Sequence, residues 1–171
     1  MSLEAVFLQY SSDKLGQLCG RVETCLDKLT PEQIWLRHAE NENAIGNLML
    51  HLAGNVRQWI LSGVGGEHDV RVRDREFSAR GGMQAAELKE RLRSTVDAAA
   101  EVIRSLPPAR LAERATIQSY NLTLLEVILH VVEHFSGHTG QIIFMTKLFT
   151  GEDLGFYPHL KSAKAPAERI P

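Results

Sequence analysis

The chain has 171 residues and a formal net charge of −2, with 44% hydrophobic, 23% charged and only 6% aromatic residues. That length suits one domain with a sizeable core, and the composition is that of an ordinary soluble globular protein. Interspersed charges of both signs give no general attraction to nucleic acid or anionic membrane, so neither is expected as a partner.

The opening stretch, MSLEAVFLQYSSDKL, has no basic region followed by a long apolar core, so no secretory signal is expected. No run approaches about eighteen continuous apolar residues, so no transmembrane span is expected either. Cys19 and Cys25 are the only cysteines. On one helix they stand about 9 Å apart along the axis, too far for a disulfide. Two reduced, partly buried thiols in a cytoplasmic protein are expected.

Phe7, Leu8, Leu15, Leu18, Val22, Leu26 and Leu29 recur at three- and four-residue spacings, which predicts an amphipathic helix over 3–29. Thr30-Pro31-Glu32-Gln33 supplies a cap, a proline at the first helical position and a capping box. It opens a short helical turn with Ile34, Trp35 and Leu36. Residues 38–43 are polar and read as a loop ending in Asn43 as an N-cap. A second helix over 44–62 carries Ile45, Leu48, Met49, Leu52, Val56, Trp59 and Ile60 on its buried stripe, and Gly63, Gly65 and Gly66 stop it. His51 and Asn55 lie one turn apart on the flank of that stripe.

Residues 64–82, framed by glycine pairs, form the longest irregular connection. Val70 and Val72 alternate with charges, which suits a short hairpin-like excursion. A connection of this length reads equally as a lid or as mobile chain. A third helix over 83–105 turns Leu88, Leu92, Val96, Ala99 and Ile103 inward and ends at Pro107-Pro108. Residues 109–121 read as a connector. Thr123 with Glu126 makes a second capping box, opening a fourth helix that runs to Phe149. The stretch 151–171 is Gly- and Pro-rich and reads as an irregular tail. Four long amphipathic helices with no convincing strand set predict an all-α, four-helix-bundle fold over a single domain, 1–171.

His130, His134 and His138 recur every four residues, so they line one side of the fourth helix. Imidazole is the commonest protein ligand for borderline transition metals. On a helical wheel His138 lies roughly 60° from the apolar centre, His134 about 100° and His130 about 140°. The first two reach an inter-helical groove while His130 faces further out. His51 occupies a similar flank, roughly 120° from the centre of its own stripe. One histidine from one helix and an HxxxH pair from another present three nitrogens to one face of a metal and leave its other positions open, as in a catalytic site. A hydrogen-bonded core histidine is the competing reading of each, and the residues alone leave both open. His38, His68 and His159 fall in loops or the tail, where a solvated side chain is expected. Gly137 and Gly140 flank His138, which suits close backbone approach, space for a ligand, or simple helix packing.

Other chemistries lack their residues. No Asp or Glu is followed three residues later by His, which disfavours a di-iron bundle site. HExxH, a phosphate-binding G-x-x-x-x-G-K-[ST] loop and a GxSxG elbow are absent.

The stretch LMLHLAGNVRQWI around His51, followed by LHVVEHFSGHTGQII around His134 and His138, resembles the DinB/YfiT-like metal-binding superfamily, and within it a branch of unknown function. The hallmark is a helix-two His with a later His-x-x-x-His-x-Gly-Gln, present here as His134, His138, Gly140 and Gln141. The resemblance covers essentially the whole chain. It implies a four-helix bundle holding one divalent metal, zinc or nickel, through His51, His134 and His138, and frequent dimers. It also implies a thiol S-transferase that attaches a low-molecular-weight thiol to an electrophile, with a metal-dependent hydrolase or a non-catalytic metal or small-ligand binding protein as alternatives. Asn55, His130 and Gln141 are the candidates for orienting the ligands or contacting a small-molecule substrate. Arg57 and the 64–82 segment are candidates for binding an anionic part of the thiol.

Overall fold

The structure, a computed structural model, describes residues 2–158. His159 and the remainder of the expected tail lie outside the described residues. Helix α1 (Leu3–Leu26) starts at Ser2, whose hydroxyl accepts the Ala5 N–H, and buries Leu8, Leu15, Leu18, Val22 and Leu26. Its apolar stripe packs on two later helices, α5 (Ala85–Ser105) and α6 (Leu124–Thr150). Cys19 and Cys25 are free and fully buried, deeper than the sequence suggests. Burial pushes the Cys19 thiol up to about 12 and raises that of Cys25 as well, so both stay protonated and inert.

Helix α2 (Pro31–Trp35) opens on the expected box, with Thr30 Oγ1 accepting the Gln33 N–H and Gln33 Oε1 accepting the Thr30 N–H. Helix α3 (Ile45–Val56) is buried on every side from Ile45 to Ala53. A helix that is apolar all round belongs in the middle of a core, and α3 packs against α2, α5 and α6. Asn43 is not its cap. Ala44 takes that position, and the Asn47 side chain, inside the first turn, accepts the Ala44 N–H at 3.1 Å.

The predicted second helix continues to Ser62, but its last part, Arg57–Ser62, is π-helical. The Gly63 N–H reaches back five residues to Gln58 O, and the Gly65 N–H to Ile60 O. Gly63 is required there, because a Cβ would stand 2.2 Å from Ile117 Cδ1 and 2.5 Å from Trp59 O.

The hairpin-like excursion expected in 64–82 does not form. Val70 and Val72 are exposed, and the chain instead makes a short helix, α4 (Arg73–Ser78). Its backbone is tied to the core: Asn47 Nδ2 donates to Glu76 O at 2.8 Å and Ala79 O at 2.9 Å, and the Arg37 guanidinium donates to Phe77 O at 2.7 Å.

A hairpin appears instead in the stretch read as a connector. After a 3-10 turn (Pro108–Ala112), β1 (Arg114–Ile117) pairs antiparallel with β2 (Tyr120–Thr123), Arg114 opposite Thr123 and Ile117 opposite Tyr120. Its two turn residues, Gln118 at φ 49° and Ser119 at φ 70°, are both left-handed, as a two-residue I′ connection requires. Neither is Gly, Asn or Asp, so no turn signal marks the position. The described chain is thus mostly helical with one two-stranded sheet. Thr123 ends β2 and caps α6: its hydroxyl accepts the Glu126 N–H while the Glu126 carboxylate accepts the Thr123 N–H. Gly151, at φ 69°, ends the helix, and residues 151–157 carry no regular structure. No described helix is long and apolar enough to cross a membrane.

Because Thr123 caps the longest helix, Thr123→Ala should cost about 1 kcal/mol. In urea unfolding the midpoint should fall at unchanged slope.

Candidate metal centre

Helices α3 and α6 pack together, and each turns a column of four-residue spacing toward the other. His51, Asn55 and Trp59, the last in the π-helical turn, form one column; His130, His134 and His138 form the second. His51 meets His134 and His138, whereas Trp59 packs against His130 with ring centroids 4.3 Å apart and the planes tilted by 41°. The columns therefore run in opposite directions, and the metal candidates gather at one end.

The His51 and His138 Nε2 atoms lie 3.1 and 3.2 Å from His134 Nε2. One ligand atom from each of the three lies within 4.8 Å of the others, so the trio can hold a metal ion. Two nitrogens each about 2.1 Å from one ion stand roughly 3.0–3.4 Å apart for bond angles between right and tetrahedral. The observed spacings fall in that range.

A neutral imidazole carries one N–H. His51 Nδ1 lies 3.0 Å from Glu76 Oε2, and His138 Nδ1 lies 2.7 Å from Gln141 Oε1. The Arg71 Nη2 also lies 3.1 Å from His51 Nδ1, but the Glu76 and Gln141 oxygens can only accept, so the Nδ1–H tautomer satisfies them and leaves both Nε2 lone pairs bare and aimed at a third imidazole nitrogen. One proton on His134 Nε2 can satisfy only one of them. A cation satisfies all three, so the residues present fit a metal.

Glu76 is buried at 7% exposure and forms a two-pronged pair with Arg71, Nε to Oε1 at 2.7 Å and Nη2 to Oε2 at 2.8 Å. Burial opposes its ionisation, but the Arg71 and His51 hydrogen bonds win and hold the carboxyl below its usual range. Gly54 makes room for the pair: a Cβ there would stand 2.0 Å from Glu76 Oε1 and 3.0 Å from Arg71 Nε. Burial, followed by the neighbouring histidines, lowers His134 to about 3. Burial also lowers His138, against the opposing Gln141 bond. Neutral imidazole is the form that binds metals.

The structure brings His51, His134 and His138 together as the sequence suggests, with Gln141 on His138. His130 stays outside the trio, its ring 5.9 Å from that of His134. Asn55, 4% exposed, lines a cavity of about 420 Å³ together with His51, Trp59, Tyr120, His130 and His134. Arg57 points elsewhere and pairs with Glu67 at 2.8 Å on the surface. A Cβ at Gly137 or Gly140 would meet nothing within 4 Å, so neither close backbone approach nor helix packing explains them. Gly137 borders an open solvent-side hollow shared with His130, Glu133, His134 and His138. His38 and His68 are exposed, as expected. Sequence reasoning missed Glu76 and Arg71. The only signal was that the 64–82 connection carries many charges between its glycine pairs.

A family model described as "Protein of unknown function (DUF1572)" matches residues 2–157. The chain belongs to the DUF1572 family. None of the curated proteins compared with it matches. In this DUF1572 protein the matched span includes the three histidines together with Arg71, Glu76 and Gln141.

Gly54→Ala and Glu76→Gln should each weaken metal affinity about ten- to a hundredfold while leaving all three histidines in place. Competition against a chromophoric chelator measures this. The pH response has a definite sign. Unfolded His134 titrates near 6.5 and folded His134 near 3, so between those values the unfolded chain binds the extra proton. The metal-free protein should keep its full stability above about pH 6.5 and lose part of it as pH falls toward 3. His134→Gln should flatten that slope in denaturation curves taken across the range.

Proposed function

We propose that this protein is a divalent-metal-dependent enzyme of the thiol S-transferase type, built on a single DinB-like four-helix bundle and working as a cytoplasmic homodimer. His51, His134 and His138 hold one ion, zinc or nickel, and the substrates are a low-molecular-weight thiol and a small electrophile. The observation that carries this reading is the convergence of three imidazole nitrogens, two of which have their opposite nitrogens committed to Glu76 and Gln141. When bound, the metal keeps its positive charge among three neutral ligands and favours the thiolate of a thiol beside it.

The chain's own residues then have distinct tasks. Glu76 and Gln141 hold two imidazoles in the Nδ1–H tautomer, and Arg71 keeps Glu76 ionised and pointed. The cavity next to the trio is lined by no carboxylate. A water-activating metallohydrolase of the HExxH kind sets a glutamate base beside its metal; Glu133 borders the second hollow, next to His134 and His138, and this keeps a metal-dependent hydrolase as the second reading.

Metal analysis tests the shared premise: wild type should hold about one ion per chain, and His134→Ala with His138→Ala should hold none. Equal metal content in the two would remove the site. Zinc- or nickel-loaded protein incubated with bacterial thiols and a test electrophile should then show conjugation that a chelator stops. Ester or amide hydrolysis without conjugation would favour the hydrolase, and loss of stability on chelation with no turnover would favour a binding protein.

A further inference from the structure

One turn past the histidines, the same two helices border an apolar groove. Helices α3 and α6 run in opposite directions, so Leu48, three residues before His51, and Gln141, three residues after His138, are displaced the same way. Each displacement is about 4.5 Å along its helix axis. There the two residues line a cavity of about 410 Å³ with Phe144, Met145, Leu148 and Phe149. Phe144 with Leu148 and Met145 with Phe149 are each one turn apart, so the four side chains form one patch. Phe144 and Leu148 are 67% and 66% exposed, and contiguous apolar side chains left in water mark a binding surface.

Two features narrow what such a groove receives. Gln141 borders it and also borders the solvent-side hollow shared with His134 and His138, so groove and metal centre adjoin at one side chain. A molecule anchored at the histidines through that hollow has its far end at the groove. The second feature is charge. Glu42 is the one carboxylate lining the groove among the described residues, and its Oε2 already accepts the His38 and Ala39 N–H groups at 2.7 and 3.3 Å. No Lys or Arg among the described residues lines it. The groove therefore offers apolar contact area and no strong ionic partner, which suits an uncharged chain rather than a second ionic group.

We propose that this groove receives the apolar chain of a small amphipathic substrate whose polar head binds at the metal centre. Phe144 and Leu148 pack along the chain, and Gln141 stands where head and chain meet. The assignment rests on the metal-centre reading, because the ion anchors the head. Chain length, rather than a charged group at the far end, is then what the site selects.

Straight-chain hydroxamic acids chelate zinc through the head and differ only in the tail, so titration calorimetry of the zinc-loaded protein from acetohydroxamate to octanohydroxamate reads the groove directly. Affinity should rise roughly two- to fourfold per added methylene, the gain from burying one CH₂ in part or in full. Phe144→Gln combined with Leu148→Gln, both at exposed positions, should flatten the series while zinc content, melting temperature and acetohydroxamate binding stay as in the wild type. A flat series in the wild type, or a slope that survives the double substitution, overturns the proposal. Sedimentation of the same samples separates the other occupant: a flat series together with a dimer that the double substitution turns into a monomer assigns the groove to a second copy of the chain. Protein that retains no zinc overturns the metal-centre reading and this inference with it, whereas zinc-loaded protein with a flat series overturns this inference alone.

Discussion

The carboxylate of Glu76 ties three parts of the chain to one point. It takes both prongs of the Arg71 guanidinium and the Nδ1–H of His51, while its own backbone carbonyl is held by Asn47 on α3. A buried carboxylate without such partners would lose its charge or unfold its surroundings. With them it becomes a rigid acceptor that decides which nitrogen of His51 faces α6. The glycine at position 54 follows from this, since the pair occupies the space where a side chain would stand. A cluster of three histidines on two helices therefore depends on a third element, α4, that carries none of them.

Helix α3 has an unusual assignment for the most buried segment of the fold. Its stretch from Ile45 to Ala53 is enclosed on every side, yet it includes Asn47 and His51, with Asn55 just beyond. Two of these are answered from outside the helix: Asn47 by the Ala44 and α4 backbones, His51 by Glu76 and the other histidines. Asn55 is not. Burying a polar group costs free energy unless it is paired, and the Asn47 and His51 pairings are what let this helix carry polar residues in the core.

The segments with least regular structure build the cavity walls. The 64–82 connection contributes Arg71 and Arg73, and the hairpin contributes Gln118, Tyr120 and Leu122. The Gln118 and Arg71 side chains both donate to Gln58 Oε1, which links hairpin and connection through the π-helical turn. That turn is where α3 departs from regular helix, and it carries Trp59, whose ring packs against His130. The long helices supply a frame and two columns of side chains; the short pieces close the space in front of them.

What the sequence by itself determined was local. Helix periods, the Thr30 and Thr123 capping boxes and the buried stripes of α1, α3 and α5 all depend on residues within a few positions of one another. Alignment of His134 with His138 has the same origin, one turn of one helix. The placement of His51 opposite them was legible as a flank position and through the family resemblance. Only the tertiary structure decided the rest, because those interactions join residues with no local signature of their pairing. Glu76 lies 25 residues from His51 and on a helix too short to show a period. The hairpin turns on Gln118 and Ser119, whose left-handed backbone no residue preference announces. Asn43 reads as the cap in the sequence, but Ala44 takes that position, because the Asn47 side chain accepts the Ala44 N–H while its amide reaches the α4 backbone. An amphipathic pattern states which side of a helix is dry; which polar atom meets which across the core is settled only when the helices pack.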